Sequence, residues 1–153
     1  RLKRAGLPIT DVSLPLEGGC HVVVVGVKKG GTEIAEQVRT VLSSRRVPIT
    51  KIIVVDEDID PFNFGEVLHA LGVKCHSIRG VISKEHVGGG NPLTPCYTPE
   101  ERSKGLGATA LLDCTWPKDL PREETPVKSS FNTIYPDRIK EKVKENWKKY
   151  GFK

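Results

Sequence analysis

The chain has 153 residues, of which 28% are charged, 37% hydrophobic and 6% aromatic, with 15 glycines, 11 prolines and a formal net charge of +5. These values are typical of one globular domain and exclude the disordered, collagen-like and coiled-coil classes. The longest apolar run, Val22 to Val25, is far shorter than the roughly 20 residues that cross a bilayer, so we expect a soluble protein with no membrane partner.

The chain begins at Arg1 and contains no methionine. A translation product begins with methionine, so the sequence indicates a fragment or a processed product. We therefore expect any active site to lie partly outside these residues.

The positive charge is concentrated near the C-terminus. Seven of the lysines and arginines and three acidic residues lie between Asp137 and Lys153, a net +4 in that segment. One basic helix without a recognisable nucleic-acid-binding module does not favour a nucleic-acid partner.

The cysteines are widely spaced, and the chain has no C-x-x-C pair. Two of them border apolar, strand-like runs, which favours buried thiols in the reducing cytoplasm over a disulfide framework or a zinc site. The four residues are Cys20, Cys75, Cys96 and Cys114.

The first half of the chain alternates strands with helices. Cys20 to Gly26 and Thr50 to Val55 are uninterrupted apolar runs that predict buried strands. A helix capped by Thr32 carries a stripe formed by Ile34, Val38, Val41 and Leu42. A second helix, with Asp60 as its cap and Pro61 at its first position, ends at Gly72 and has the apolar residues Phe64, Val67, Leu68 and Leu71. This order predicts a three-layer α/β fold with a parallel or mixed sheet flanked by helices.

The second half is less regular. Val73 to Ile82 predicts a short strand, and Val87 to Pro99 is rich enough in glycine and proline to predict a long loop. Thr109 to Trp116 returns to strand character. From Pro136 to Gly151 we predict an extended C-terminal helix with an apolar face formed by Ile139, Val143, Trp147 and Tyr150. We accordingly divide the chain into an α/β domain, 1–134, and a C-terminal helix, 135–153.

An acidic run follows the second predicted strand, where open α/β sheets bind ligands: Asp56, Glu57, Asp58 and Asp60. Such oxygens can hold Mg²⁺ or Ca²⁺. Carboxylates are also favourable beside a helix N-terminus without any metal, and we favour this structural interpretation over a metal site.

Other candidate patterns are weaker. The Gly26 to Gly31 turn lies between a strand and a helix but matches neither the dinucleotide-binding nor the P-loop spacing. Arg45 and Arg46, at a helix-to-strand turn, can meet a phosphate, although solvated cations are the commoner outcome. No catalytic or metal-binding spacing joins the histidines, which we interpret as structural: His21, His69, His76 and His86.

Four separated segments resemble the UbiD-type decarboxylases, whose members carry prenylated FMN. Ile52 to Leu71 resembles the strand, acidic turn and helix of that family, and Ala5 to Val12 resembles its AGLPVTDV element. Leu111 to Pro117 resembles the DC-x-x-P element of the fungal-type phenolic-acid and cinnamic-acid decarboxylases, and Tyr135 to Phe152 is similar to their C-terminal helix. The resemblance covers nearly the whole chain, in order.

The resemblance implies the C-terminal domain of such an enzyme, which pairs subunits and closes the active site. The family's catalytic Glu-Arg-Glu network and its metal ligands belong to the preceding part, so no catalytic or metal-binding residue is expected here. Val81 and Ser83 stand in place of the Phe and Leu of a Phe-Pro-Leu wall of the cinnamate pocket, which implies a wider or more polar pocket. Arg45 and Arg46 match the turn beside the cofactor phosphate.

For the complete enzyme, the resemblance implies prenylated FMN with a divalent metal, Mn²⁺ or Mg²⁺, and K⁺ as a further candidate. It also implies an aromatic or phenolic carboxylic acid as substrate and a homo-oligomer, a dimer or hexamer, with Ile139, Val143, Trp147 and Tyr150 at the subunit interface. The alternatives are a non-enzymatic α/β interaction or oligomerisation module and a free-standing metal-binding domain that uses the acidic run.

Overall fold

The computed structural model describes residues 1–28, 30–43, 48–87, 94–121, 123–127 and 129–152, with all of their side chains except that of Asn132. Its contacts divide the chain into two compact units, Arg1–Asp119 and Leu120–Lys153. The segment 120–134 thus groups with the terminal helix, whereas the sequence analysis placed the boundary after residue 134. None of the helices in the described ranges is long and apolar enough to cross a bilayer.

The first unit is built on one sheet, whose five strands are β1 (Ile9–Ser13), β2 (Val22–Val27), β3 (Lys51–Asp56), β4 (Val81–Val87) and β5 (Leu106–Cys114). The strand order is β1-β2-β3-β5-β4. β2, β3 and β5 run parallel in the centre, while β1 and β4 pair antiparallel at the edges. The mixed sheet predicted from the sequence is confirmed.

Two helices cover opposite faces of this sheet, α1 (Thr32–Leu42) and α2 (Phe64–Val73). Successive side chains of a strand alternate between its faces. In β2, Val23 and Val25 pack in the core that contains α1, and Val24 packs in the core that contains α2. Burial on both faces explains the uninterrupted apolar runs and confirms the three-layer α/β fold.

The start of α2 differs from the prediction. The helix begins at Phe64, and the Asn63 side chain accepts a hydrogen bond from the Glu66 N–H at 3.4 Å. Asp60 Oδ1 instead accepts a hydrogen bond from the Phe62 N–H at 2.9 Å, inside a turn that includes Pro61. Asp60 therefore caps a turn that precedes the helix. The predicted end at Gly72 is one residue short.

The outer strands were predicted less well than the central ones. β1 was not predicted, and β4 begins only at Val81, after turns that occupy much of the expected strand from Val73 to Ile82. Within the predicted long loop, residues 88–93 lie outside the described ranges. The last residue of this predicted loop, Pro99, is the first of a short helix, α3 (Pro99–Ser103). Thr98 and Glu101 cap the start of this helix with a reciprocal capping box.

The second unit contains α4 (Phe131–Ile134), α5 (Asp137–Glu145) and a 3₁₀ turn, Trp147–Tyr150. Gly151, with φ of 84°, ends that turn in the left-handed conformation, as its predicted role requires. The Trp147 ring stacks on Phe152 with centroids 4.5 Å apart. The predicted long helix is thus an α-helix of nine residues followed by a tighter turn.

The burial of the cysteines corrects part of the prediction. Cys114 is buried and Cys75 is half-buried, but Cys20 and Cys96 are exposed, and none of the four is in a disulfide. Cys20 precedes β2 in a turn and has a φ of 65°, so it is not part of the buried strand. Burial raises the pKa of the Cys75 and Cys114 thiols above the usual value.

The corrected cap gives a stability test. Replacing Asn63 by alanine removes the acceptor for the first turn of α2, so the free energy of unfolding in urea should fall by about 0.5–2 kcal/mol. Asp60→Ala leaves that cap in place and is the matched control, with a smaller expected loss. A larger loss for Asp60→Ala than for Asn63→Ala would contradict the position of the cap.

The exposure of the thiols gives a second test. Thiolates are the reactive form of cysteine, and buried thiols with a raised pKa react slowly. Under native conditions iodoacetamide should modify Cys20 and Cys96 first, and should reach Cys75 and Cys114 only on unfolding. Peptide mass mapping over time measures the order, and early modification of Cys114 would show that the core around β5 opens readily.

Candidate functional site

A cleft of about 660 Å³ lies at the carboxyl edge of the parallel strands in the first unit. Its walls are the turn after β2, the first turn of α1, residues from Lys74 to Gly80, and the segment that follows β5. Cavities of this size accommodate small molecules, and the carboxyl edge is where open α/β sheets bind them. This cleft is the candidate site of the described chain.

A buried carboxylate, Asp113 at the end of β5, organises the floor of the cleft. Asp113 Oδ1 accepts hydrogen bonds from Thr115 Oγ1 at 2.7 Å and from the Thr115 N–H at 3.1 Å. Its Oδ2 accepts one from Thr32 Oγ1 in α1 at 3.1 Å. Both oxygens are therefore engaged inside the protein, so Asp113 is a positioning residue in this arrangement.

Glycine allows the turn after β2 to approach the end of β5. The Gly31 N–H donates a 2.6 Å hydrogen bond to Thr115 Oγ1, and Gly31 has a φ of 111°, where a side chain is strained. A Cβ atom on Gly30 would overlap both Thr115 and the Asp56 carboxylate. These glycines allow close packing between two turns, a role that comparison with the dinucleotide-binding and P-loop spacings does not reveal.

A second polar cluster joins the end of β3 to the end of α2 and to the segment after β5. Asp56 Oδ2 accepts hydrogen bonds from the Trp116 N–H at 2.9 Å and from Lys74 Nζ at 3.1 Å. Lys74 Nζ also lies 2.8 Å from Asp58 Oδ1 and 5.2 Å from the centre of the Trp116 ring. Burial raises the pKa of the Asp56 carboxyl, although the Trp116 N–H and Lys74 favour its charged form.

The acidic run is thus divided between different partners. Asp56 and Asp58 bind Lys74, and Asp60 binds the Phe62 backbone. Within the described ranges no group of three or more histidine, cysteine or acidic side chains is placed to hold a metal ion. Asp56, Asp58 and Asp60 thus have structural partners, although these partners are Lys74 and a turn rather than the helix N-terminus that the sequence analysis expected.

Three of the four histidines make contacts of structural type. His21 Nδ1 lies 2.8 Å from Pro48 O, His76 Nδ1 accepts from the Ile78 N–H at 3.1 Å, and His86 Nε2 lies 3.5 Å from Thr109 Oγ1. None of these contacts pairs a histidine with a nucleophile in the cleft. The Asp113 carboxylate and the Thr32 and Thr115 hydroxyls in the cleft are already engaged, which suits the cleft to binding and packing.

The predicted pocket residues lie elsewhere. Val81 and Ser83 are exposed on the edge strand β4, two positions apart and so on one face, and neither lines the cleft. Arg45 and Arg46 lie outside the described residues. The proposed interface residues lie in the second unit, with Ile139 and Val143 half-buried and Trp147 and Tyr150 exposed.

The sequence analysis assigned no individual role in a site to three residues that shape the cleft. Asp113, Thr115 and Lys74 each make contacts that join distant parts of the chain, so no local pattern reports them. One usable signal was present: Asp113 and Thr115 are polar residues directly at the end of an apolar strand. Side chains of these two types commonly bond nearby backbone N–H groups, as the Thr115 N–H contact shows.

The curated proteins to which the chain is similar include several decarboxylases. Ferulic acid decarboxylase 1 of Saccharomyces cerevisiae is 29% identical over 97% of this chain and 32% of its own length. The phenolic acid decarboxylase of Sedimentibacter hydroxybenzoicus is 32% identical over 82% of this chain and 25% of its own length. The chain thus spans about a third or less of the length of the curated relatives that it matches.

Solved structures agree with this comparison. The UbiD-class enzyme HmfF from Pelotomaculum thermopropionicum, in complex with FMN, matches with a TM-score of 0.66 and 25% identity, over 84% of this chain and 28% of that chain. The closed form of the vanillic acid decarboxylase of Sedimentibacter hydroxybenzoicus matches with a TM-score of 0.65 and 27% identity, over 96% of this chain and 30% of that chain.

The family assignment follows from a match over most of the chain. Residues 1–114 match the model of the 3-octaprenyl-4-hydroxybenzoate carboxy-lyase C-terminal domain. The match begins in the segment before β1 and ends at Cys114, so it includes all five strands and the Asp113 carboxylate. The chain belongs to the UbiD family and corresponds to the C-terminal domain of its decarboxylases.

Proposed function

We propose that this chain serves as the C-terminal domain of a larger, non-oxidative decarboxylase or carboxylase that acts on an aromatic or phenolic carboxylic acid. The observation that carries this proposal is the alignment of 97% of the chain with only 32% of ferulic acid decarboxylase 1. In this proposal the domain closes the active site from one side and contributes to subunit association. Catalytic groups come from the rest of the enzyme.

A flavin is the proposed cofactor of the complete enzyme, because a structural relative was solved with FMN. The family resemblance implies prenylated FMN with a divalent metal, Mn²⁺ or Mg²⁺, and K⁺ as a further candidate. When bound, the flavin supplies an electron sink for the loss of CO₂, and the protein supplies orientation and electrostatics. In this proposal the residues of this chain contribute walls and contacts to that chemistry.

Val81 and Ser83 are the proposed pocket wall. They project from the same face of edge strand β4 and are exposed in this chain, so a preceding domain can pack over them. Valine and serine are smaller than phenylalanine and leucine, and the serine hydroxyl is polar. We therefore assign them to a pocket for a hydroxylated aromatic acid, and we assign Arg45 and Arg46 to the vicinity of the cofactor phosphate.

The second unit is the proposed site of subunit association. In this proposal Ile139 and Val143 of α5 form one apolar face together with Trp147 and Tyr150 of the turn that follows it. In this proposal they meet another subunit of a homo-oligomer, a dimer or hexamer. The free cysteines fit a reducing compartment, and we place the enzyme in the cytoplasm.

The non-enzymatic alternative is less well supported, because the relatives matched by the chain are decarboxylases. The described contacts likewise do not favour a free-standing metal site, since the acidic run binds Lys74 and backbone groups.

The first prediction from this proposal concerns the chain alone. With prenylated FMN and Mn²⁺ supplied, these 153 residues should not decarboxylate ferulic, vanillic or other phenolic acids, because the proposed catalytic groups lie in the rest of the enzyme. Product formation is measured by chromatography, and the flavin absorbance spectrum should stay that of the free cofactor. Turnover by the chain alone would refute its assignment as an accessory domain.

The second prediction concerns selectivity in the complete enzyme. Val81→Phe with Ser83→Leu should shift kcat/KM from hydroxylated acids towards cinnamate, by roughly 10–200-fold if each change acts as an ordinary pocket alteration. Glu85→Gln, two positions further along the same face of β4, is the matched control and should leave the ratio unchanged. An unchanged ratio in the double variant would show that β4 does not face the substrate.

A further inference from the structure

Helix α2 covers only part of its side of the sheet. Ile53 and Val55 of β3 are buried in the core that contains α2. β5 is also a central strand, but over most of its length buried and half-buried positions alternate, which is typical of a strand with one covered side and one open side. Leu111 is fully buried in the core that contains α1, whereas its neighbours Ala110 and Leu112 are half-buried. The α2 side of β5 therefore has room for a further contact.

The edge strand β4 extends this open area. Leu112 packs against the core that contains α2, and Ile82 packs against the core that contains α1. Successive side chains of a strand alternate between its sides, so Ala110 lies on the α2 side together with Leu112. Val81 and Ser83 flank Ile82 and therefore also lie on the α2 side, where both are exposed. The first unit thus leaves one continuous part of β4 and β5 incompletely covered.

The pairing of β4 with β5 arranges these side chains in two rows. Ser83 is paired with Ala110, and Val81 is paired with Leu112. Directly opposite side chains of an antiparallel pair have Cβ atoms about 4.5–5.5 Å apart, so each β4 residue contacts its β5 neighbour. Because adjacent strands lie only about 4.8 Å apart, an aromatic ring that lies against β4 also reaches β5.

We propose that Ala110 is a specificity-determining residue of the substrate pocket. The proposal rests on the proposed function, which assigns Val81 and Ser83 to the pocket wall, and it adds the strand that continues this wall. The row of Ser83 and Ala110 has small side chains and leaves space for a ring substituent, whose oxygen can accept a hydrogen bond from the Ser83 hydroxyl. The row of Val81 and Leu112 is apolar and contacts the unsubstituted side of the ring. The substrate class is thus an aromatic acid with oxygen substituents on its ring.

Selectivity between two acids that differ only in their ring substituents tests this role in the complete enzyme. Ferulic acid carries a hydroxyl and a methoxy group on the ring of cinnamic acid. Ala110→Leu fills the space beside Ser83, so kcat/KM for ferulic acid should fall relative to kcat/KM for cinnamic acid by roughly 10–200-fold, the range for a methylene-sized change in an apolar pocket. A loss of stability alone lowers both values and leaves their ratio unchanged.

Two further variants serve as controls. Ala108→Leu makes the same substitution two positions earlier on the same side of β5, opposite Glu85, and should leave the ratio unchanged. Ala110→Val adds a smaller side chain that is favourable in a strand, so it should shift the ratio in the same direction by less than leucine does. The valine variant keeps the test available where leucine prevents folding.

The possible outcomes separate this inference from the proposed function. An unchanged ratio in both variants of Ala110, beside a shifted ratio in Val81→Phe with Ser83→Leu, overturns the role of Ala110 and leaves the proposed function in place. An equal shift in Ala108→Leu also overturns it, because the effect is then not local to the pocket wall. An unchanged ratio in all of these variants removes the pocket wall itself. A complete enzyme that decarboxylates neither cinnamic nor phenolic acids refutes the proposed function, and the pocket with it.

Discussion

The contacts around Asp113 hold the carboxyl edge of the sheet together. Its two oxygens bind Thr115 and Thr32, and Thr115 in turn receives the Gly31 N–H, so the ends of β5 and β2 and the start of α1 share one buried network. A buried carboxylate is costly unless its hydrogen bonds are made, so this network forms only when the central strands are in register. The cleft therefore depends on the sheet behind it.

The central layer of the fold was predictable because its signal is local. Each of β2 and β3 is a run of apolar residues that is buried on both faces, and a run of this kind predicts its own strand. β1 mixes buried, half-buried and exposed positions, and β4 has only half-buried and exposed ones. Both strands are fixed by pairing with strands that follow them in sequence. The cap of α2 was misplaced because Asp60, Pro61 and Asn63 are all ordinary start signals, and only the turn geometry decides among them.

The cleft was less predictable than the fold because its contacts join residues that are far apart in sequence. Thr32 meets Asp113 across 81 positions of sequence, and Trp116 meets Asp56 across 60, so the arrangement exists only after the parallel strands align. Asp56 was noted as part of an acidic run, but its partner Lys74 lies beyond a complete helix. Gly30 and Gly31 were noted for a phosphate pattern, while their role is to let two turns touch.

The first unit satisfies the hydrogen bonds of its buried polar groups more fully than it buries its apolar side chains. The buried polar groups of the cleft make their hydrogen bonds within the first unit. The apolar side chains of Phe64 and Leu68, in contrast, are only partly covered within this unit, since about half of each remains exposed. Burying an apolar side chain of this size is worth about 1.5–3 kcal/mol, and the benefit is incomplete while half of each of these two side chains is in water. The sheet and its polar network thus specify the fold of the first unit, while Phe64 and Leu68 contribute to it only in part.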